Sequence, residues 1–232
     1  MIYVVVGPTG VGKTKFSECL AKEKNAIIIN ADSMQVYKGL DIGTAKIKES
    51  EKEDVPHFLF DIKDVSDEYN AYLYQRDGRR LLELYKDKNI VIVGGTGLYI
   101  RALLYDYKFD LGSSDLKRLY DFKIIGLTKD RKLLYENINK RVDLMILEGL
   151  VDEAYNVYNI KNKNHSVMRA IGYKELFTYF DGFVSLDEAI SEIKKNSRHY
   201  AKRQYTFFKN QFDDIRWINV DEIDIFDLIR DI

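Results

Sequence analysis

The sequence predicts an α/β protein built on a parallel sheet, and two observations carry that expectation. The first is a set of short apolar, β-branched runs at Ile2–Val6, Ala26–Asn30, Asn89–Val93 and 122–127. Continuous apolar runs of this length read as strands buried on both faces, and the segments between them place apolar residues three or four apart, the helical period. The second is Gly7-Pro8-Thr9-Gly10-Val11-Gly12-Lys13-Thr14, lodged between the first strand and a helix expected over 15–22. A glycine, four free positions and Gly-Lys-Thr form the P-loop pattern. The fold class is therefore a P-loop NTPase-like parallel sheet flanked by helices, with a helical C-terminal part.

A glycine-rich turn entering a helix gathers backbone N–H groups at a positive helix end, which is an anion site suited to a polyphosphate. Lys13 would reach the outer phosphates and the Thr14 hydroxyl would hold Mg²⁺. The second strand ends in Ala31-Asp32-Ser33. In an open α/β sheet this carboxyl edge is where ligands bind. Asp32 can there hold Mg²⁺ through water or accept a proton, or it can simply cap a helix starting at Ser33. Residues 35–48, with Gly39 and Gly43, read as a long ordered loop. A short strand is expected within 55–61. His57 inside it reads as a hydrogen-bonded structural residue, with no second His or Cys at zinc spacing.

A helix over 69–87 leads to Asn89–Val93, which ends in Gly94-Gly95-Thr96-Gly97. An enzyme that hydrolyses nucleotide would usually carry an acidic residue here. Glycines suggest instead a ligand approaching the backbone closely, with the Thr96 hydroxyl as donor. The plainer alternative makes Thr96 the N-cap of a helix over 98–104. A polar bridge spans 111–121. After the fourth strand, Thr128 is expected to start a helix over 131–149 that Gly149 ends in the left-handed conformation. Arg131 and Arg141 on this helix could be surface ion-pair partners or could reach a phosphate. Further helices are expected over 151–158 and 186–210, then a small strand at 216–219 and an acidic C-terminal helix.

With 232 residues, 46% of them hydrophobic, the chain suffices for one α/β domain over 1–232. Its single cysteine, Cys19, excludes an internal disulfide and fits a cytoplasmic protein. No apolar run is long enough to cross a bilayer and no leader precedes the first strand, so no membrane partner is expected, and the chain is expected to be a monomer. The near-zero net charge of −1 hides an asymmetry. Residues 161–209 hold ten Lys/Arg against five Asp/Glu, whereas 210–232 hold two against seven. A basic segment interleaved with aromatics is compatible with a polyanion such as RNA, and equally with solvated helix faces. On spacing alone, a nucleoside or small-molecule kinase that binds ATP fits nearly as well as any other phosphate-loop enzyme.

Seven stretches together resemble one family: GPTGVGKT at 7–14, NADSMQVYKGLDIGTAK at 30–46, VPHFLFDI at 55–62, IVGGTGLYIRALL at 92–104, KDRKLLYENINKRVDLMILEGLVDE at 129–153, MRAIGYKEL at 168–176 and SRHYAKRQYTFFK at 197–209. The chain resembles the tRNA dimethylallyltransferases (tRNA isopentenyltransferases). The family generally carries a helical insertion after the GGTGLYIRALL helix, followed by an Asn-Asp-Pro-Arg-Arg-type stretch that contacts tRNA. Here only seventeen residues separate Leu104 from Phe122. The resemblance is thus to a compact member, with the insertion reduced to a bridge around 105–121.

The resemblance implies transfer of a dimethylallyl group from dimethylallyl diphosphate to the exocyclic amine of the adenosine 3′ to the anticodon, in tRNAs reading codons that start with U. The phosphate loop would then cradle a diphosphate leaving group rather than ATP, through Gly7, Pro8, Thr9, Gly10, Val11, Gly12, Lys13 and Thr14, with Mg²⁺ at Thr14. Asp32 would accept or orient the amine proton, and Lys13, Thr96 and Arg141 would gather charge on the departing diphosphate. Asp32, Ser33, Met34 and Gln35 match the family's contacts with the flipped-out base in the anticodon loop. Arg169, Lys202 and Arg203 match stretches that lie near the tRNA. Prenylation of a free adenine nucleotide is the alternative nearest to this reading, and the kinase is the other.

Overall fold

The computed structural model describes residues 1–52, 54–109, 116–222, 225–230 and 232. Six strands form one all-parallel sheet: β1 (Ile2–Val6), β2 (Ala26–Asn30), β3 (His57–Phe58), β4 (Asn89–Val93), β5 (Phe122–Thr128) and β6 (Ile215–Asn219). Their order across the sheet is β3-β2-β4-β1-β5-β6. The apolar runs become strands because both faces of the sheet are covered. Val4, Ile27, Ile29, Ile90, Ile92 and Ile124 enter one core, while Val5, Ile28, Val91 and Ile125 enter the other. Successive strand side chains point to opposite faces, so every position in such a run must be apolar.

Helices α1 (Lys13–Glu23), α2 (Ala71–Leu84), α3 (Gly97–Leu104), α4 (Arg131–Leu147), α5 (Leu150–Tyr158), α6 (His165–Met168), α7 (Tyr173–Phe180), α8 (Leu186–Gln211) and α9 (Ile225–Arg230) complete the described chain. The start of α4 differs from expectation for an identifiable reason. Thr128 is the last residue of β5, and Asp130 caps α4 instead, its carboxylate accepting from the N–H groups of Lys132 and Leu133. The charged acceptor two residues later wins the cap because parallel pairing of Thr128 with Asn219 keeps it extended. Ser33 starts no helix. Asp32 instead accepts from the Met34 N–H at 3.0 Å and fixes a tight turn. Gly149 follows α4 in the left-handed conformation (φ 105°), as expected, and directly precedes α5. The middle of the expected bridge, 110–115, lies outside the described residues. Its ends meet through an antiparallel bridge between Tyr105 and Arg118.

The long helix α8 packs against α7, α4 and α3. Arg198 donates to Asn139 Oδ1 at 2.6 Å, and Lys194 pairs with Asp143 at 2.6 Å, so one turn of α8 is tied to α4. Ser185 caps α8 reciprocally with Glu188.

The loops after β2 and β4 touch at the carboxyl edge of the sheet. A Cβ placed on Gly94 would stand 2.2 Å from the carbonyl carbon and oxygen of Ala31, a distance no side chain survives. Gly94→Ala should therefore lose about 2–4 kcal/mol, since backbone on two central strands must separate. Urea denaturation measures it; a loss within about 0.5 kcal/mol would show that these loops can part freely.

Candidate active site

Four segments converge on one cleft of about 660 Å³: the phosphate loop, the turn after β2, the inner face of α4, and one face of α8 with α7 beside it. Gly12, at φ 102°, lets the loop turn into α1 without a side-chain clash. Lys13 sits at the start of that helix and folds its ammonium back over the loop, donating to Gly7 O and Pro8 O at 2.9 Å each. Arg141 approaches from α4 and donates to the Thr9 hydroxyl at 3.1 Å. Asp32 is the carboxylate whose field both cations feel.

This grouping sets the electrostatics. Burial pushes the Lys13 ammonium down to about 8, with Asp32 opposing the shift and Arg141 adding to it. Burial lowers Arg141 as well, again against the pull of Asp32. Two cations thus lose water while only one nearby carboxylate compensates them, which leaves a demand for negative charge in the cleft.

Asp32 is held by its surroundings. Its N–H donates to Asn30 Oδ1 at 2.9 Å, and buried Asn30 donates in turn to Leu59 O and Asp32 O. Ser33, Met34 and Gln35 line the cleft beside it, and Gln35 Nε2 is anchored on Thr44 O at 3.0 Å. The long loop is ordered, as expected, by a carboxylate nest: Glu153 on α5 accepts from the N–H groups of Asp41, Ile42 and Gly43. Tyr173 donates to the same carboxylate at 2.6 Å, and burial with the neighbouring charge raises its pKa so that it remains a donor. His57 is structural, bonded to Val55 O and Glu18 Oε1 at 2.7 Å each.

Thr96 is placed otherwise than expected. It is absent from the cleft lining; its hydroxyl oxygen accepts from the Ser33 N–H at 3.0 Å and lies 3.3 Å from Ser33 Oγ. Nor does its side chain cap α3. The glycines around it answer to a different neighbour than a ligand: a Cβ on Gly95 would meet Gln204 Nε2 at 2.0 Å, and one on Gly97 would meet the Phe207 ring at 2.2 Å. The close approach is made by α8. Arg141 reaches the cleft, whereas Arg131 lies against the Tyr135 ring. Arg169 and Arg203 are exposed residues on the lining, and Arg203 covers the Tyr200 ring at 5.7 Å. Lys202 is exposed and outside the lining.

Sequence reasoning missed Gln204, Tyr200, Glu153 and Tyr173. Gln204 is buried at 5% exposure; its Oε1 accepts from the Thr9 N–H at 2.8 Å and its Nε2 donates to Gly95 O at 3.1 Å. The signal was a polar residue on the apolar stripe Ala189, Ile193, Ala201, Phe208 of α8. Tyr200, one turn earlier, interacts with both Thr96 and Gln204, and burial beside Asp32 raises its pKa, keeping it protonated.

A parallel α/β sheet, a phosphate loop and a carboxylate at the adjacent strand end define a phosphate-loop transferase rather than a binding module. The family model described as IPP transferase matches residues 35–119 and 109–211. The tRNA dimethylallyltransferase of Anoxybacillus flavithermus is 39% identical over 97% of this chain and 92% of its own length. Among solved structures, the tRNA isopentenylpyrophosphate transferase of Staphylococcus epidermidis superposes with a TM-score of 0.90 at 31% identity, covering 99% of this chain and 96% of that one. That of Bacillus halodurans gives 0.90 at 35% identity, covering 99% and 93%. This chain belongs to the tRNA dimethylallyltransferase family.

Its compactness is visible in the same comparison. The first alignment spans 288 positions against 232 residues here, so at least 56 positions (288 − 232) face a gap in this chain. The two stretches matched by the family model meet at 109–119, within the bridge.

Because Lys13 is pushed down to about 8, its charge is lost as pH rises through that value. A bound diphosphate favours the charged form, so binding above pH 8 must take up a proton. The affinity for dimethylallyl diphosphate should fall between pH 7.5 and 9.5, approaching about tenfold per unit at the upper end. Calorimetric titration across that range checks it; an unchanged affinity would mean that Lys13 does not meet the ligand.

Proposed function

We propose that this chain transfers the dimethylallyl group of dimethylallyl diphosphate to N6 of the adenosine immediately 3′ of the anticodon, in tRNAs that read codons starting with U. The observation that carries this reading is the sharing of one cleft by the Asp32 carboxylate and the cationic phosphate loop.

The amine lone pair of adenine is delocalised into the ring, so N6 gains nucleophilic strength only as it loses its proton. Asp32, with one oxygen already fixed by the Met34 N–H, presents its carboxylate to that proton. As the N6–C1 bond forms, the bond from C1 to the diphosphate oxygen breaks. The departing charge passes to Lys13, Arg141 and the loop N–H groups of Gly10 to Thr14, which stand ready before the reaction begins. Thr96 acts from behind, holding through Ser33 the turn that carries Asp32. A base stacked in an anticodon loop cannot enter such a cleft, so the adenosine is flipped out and received beside Ser33, Met34 and Gln35. Arg169 and Arg203 at the cleft, with Lys202 further out, bind RNA phosphates and position the strand without reading its sequence.

The loop also fits Mg²⁺. Among the described residues no three His, Cys, Asp or Glu side chains are gathered to hold a metal. A cation here would be bound in the manner usual for Mg²⁺, by the Thr14 hydroxyl, diphosphate oxygens and water. It would supply charge neutralisation on the leaving diphosphate. Among the described residues no helix is long and apolar enough to cross a membrane. The working form in this reading is a cytoplasmic monomer folded as one domain.

The test is incubation with unmodified tRNA, labelled dimethylallyl diphosphate and Mg²⁺, with AMP replacing tRNA in a parallel tube. Label should enter tRNA, and Asp32→Ala should reduce it by at least about a hundredfold, the scale of a lost general base, without loosening tRNA binding in a filter assay. Label only in AMP would transfer the protein to free-nucleotide prenylation. No label in either tube, together with ATP turnover, would overturn the reading in favour of a kinase.

A further inference from the structure

The phosphate loop is held on one side by groups that also have to hold the ligand. Lys13 bonds Gly7 O and Pro8 O, and Arg141 bonds the Thr9 hydroxyl. On the reading of the cleft as a diphosphate site, a bound diphosphate would compete for both cations and draw them from these ties. Gln204 is different. It carries no charge, is 5% exposed, and grips backbone on two adjacent loops: the Thr9 N–H after β1 and the Gly95 carbonyl after β4.

We propose that Gln204 is a positioning residue for the diphosphate, keeping the phosphate loop in its binding shape after Lys13 and Arg141 have left the loop for the ligand. This rests on the reading of the cleft as a diphosphate site. Three facts support it. Without Gln204, the Gly95 carbonyl would lose its partner in a buried setting, a costly state for a backbone group, and the part-buried Thr9 N–H would lose the acceptor that fixes the loop. The room for the side chain is made by the absence of a Cβ at Gly95, where one would stand 2.0 Å from Nε2. Helix α8 is itself pinned to α4 through Arg198–Asn139 and Lys194–Asp143, so the amide hangs from a fixed support. Because the Thr9 N–H is already taken, the ligand is cradled by the N–H groups further along the loop.

The experiment compares the full-length protein with Gln204→Met, which keeps the length and removes both bonds, and with Gln204→Glu, which keeps the acceptor for Thr9 alone. Binding of inorganic pyrophosphate with Mg²⁺ is measured by calorimetry, and KM for dimethylallyl diphosphate and for tRNA by label transfer. Gln204→Met should weaken pyrophosphate and raise the diphosphate KM about tenfold or more, with KM for tRNA changed less than twofold. Gln204→Glu should weaken pyrophosphate as well, since it brings a negative charge beside the loop. Both variants should retain the wild-type helical circular dichroism. Equal loss of tRNA and diphosphate binding, or a lower melting temperature with both KM values unchanged, would overturn the proposal and leave Gln204 a structural residue. If the wild-type protein binds pyrophosphate but transfers no label, the calorimetric comparison still decides the role of Gln204 while the transferase reading fails separately.

Discussion

The site depends on an unbalanced charge: two cations, Lys13 and Arg141, drawn out of water around a single carboxylate, Asp32. Isolated buried cations are expensive, and a chain tolerates them where a ligand completes the balance. Each of the three comes from a different place in the fold. Lys13 opens α1, Asp32 follows β2, and Arg141 lies mid-way along α4. They meet because β2, β4 and β1 lie side by side and parallel, so their carboxyl ends open on one edge, and because α4 returns from β5 across that edge. The sheet order is thus what turns three distant residues into one electrostatic unit.

That unit would be useless on mobile loops, and much of the surrounding hydrogen bonding serves to stop them moving. Asn30 fixes the turn at Asp32, Thr96 holds Ser33, and Glu153 with Tyr173 clamps the loop at residues 41–43. Asn30, Thr96 and Glu153 accept from backbone N–H groups at turns, where no strand or helix ladder can supply partners, and Tyr173 supports the Glu153 carboxylate. Preorganisation of this kind keeps donors in place before charge develops on a bound ligand, and under the proposed function that ligand is the departing diphosphate.

What could be read in the sequence follows from the range of the interactions concerned. The strands were legible because burial on both faces demands unbroken apolar runs, as in Ile2–Val6 and Asn89–Val93. The phosphate loop was legible because its chemistry depends on neighbours in sequence. Gln204 was not, since its partners Thr9 and Gly95 are 195 and 109 residues away, and nothing near it in the chain reveals them. The glycines of 94–97 mark close approaches, but a sequence cannot say what approaches; here it is the Ala31 backbone at Gly94 and α8 at Gly95 and Gly97. Thr128 as the helix start failed for a related reason, because pairing with β6, a segment some ninety residues later, holds it in the strand.

The shortened bridge bears on substrate reach more than on chemistry. The described cleft lining comes from residues 9–60, 93–94, 138–150, 166–174 and 193–204, none of them in 105–121. The ends of the bridge are closed off by the Tyr105–Arg118 pairing, and Arg118 is further tied to Asp214 at 2.9 Å and covers the Phe122 ring at 4.5 Å. The described ends of the bridge are therefore joined to the β5–β6 side of the sheet, and the described cleft lining does not draw on them. Relatives carry at least 56 aligned positions that this chain lacks, so under the proposed function RNA contact would fall on what remains, the exposed basic residues of α8 and the 166–174 segment. Phosphate contacts are additive and salt-sensitive, so a smaller set would lower affinity for a polyanion without altering the cleft itself. A shortened bridge and an intact cleft are compatible because the described cleft lining is drawn from other segments.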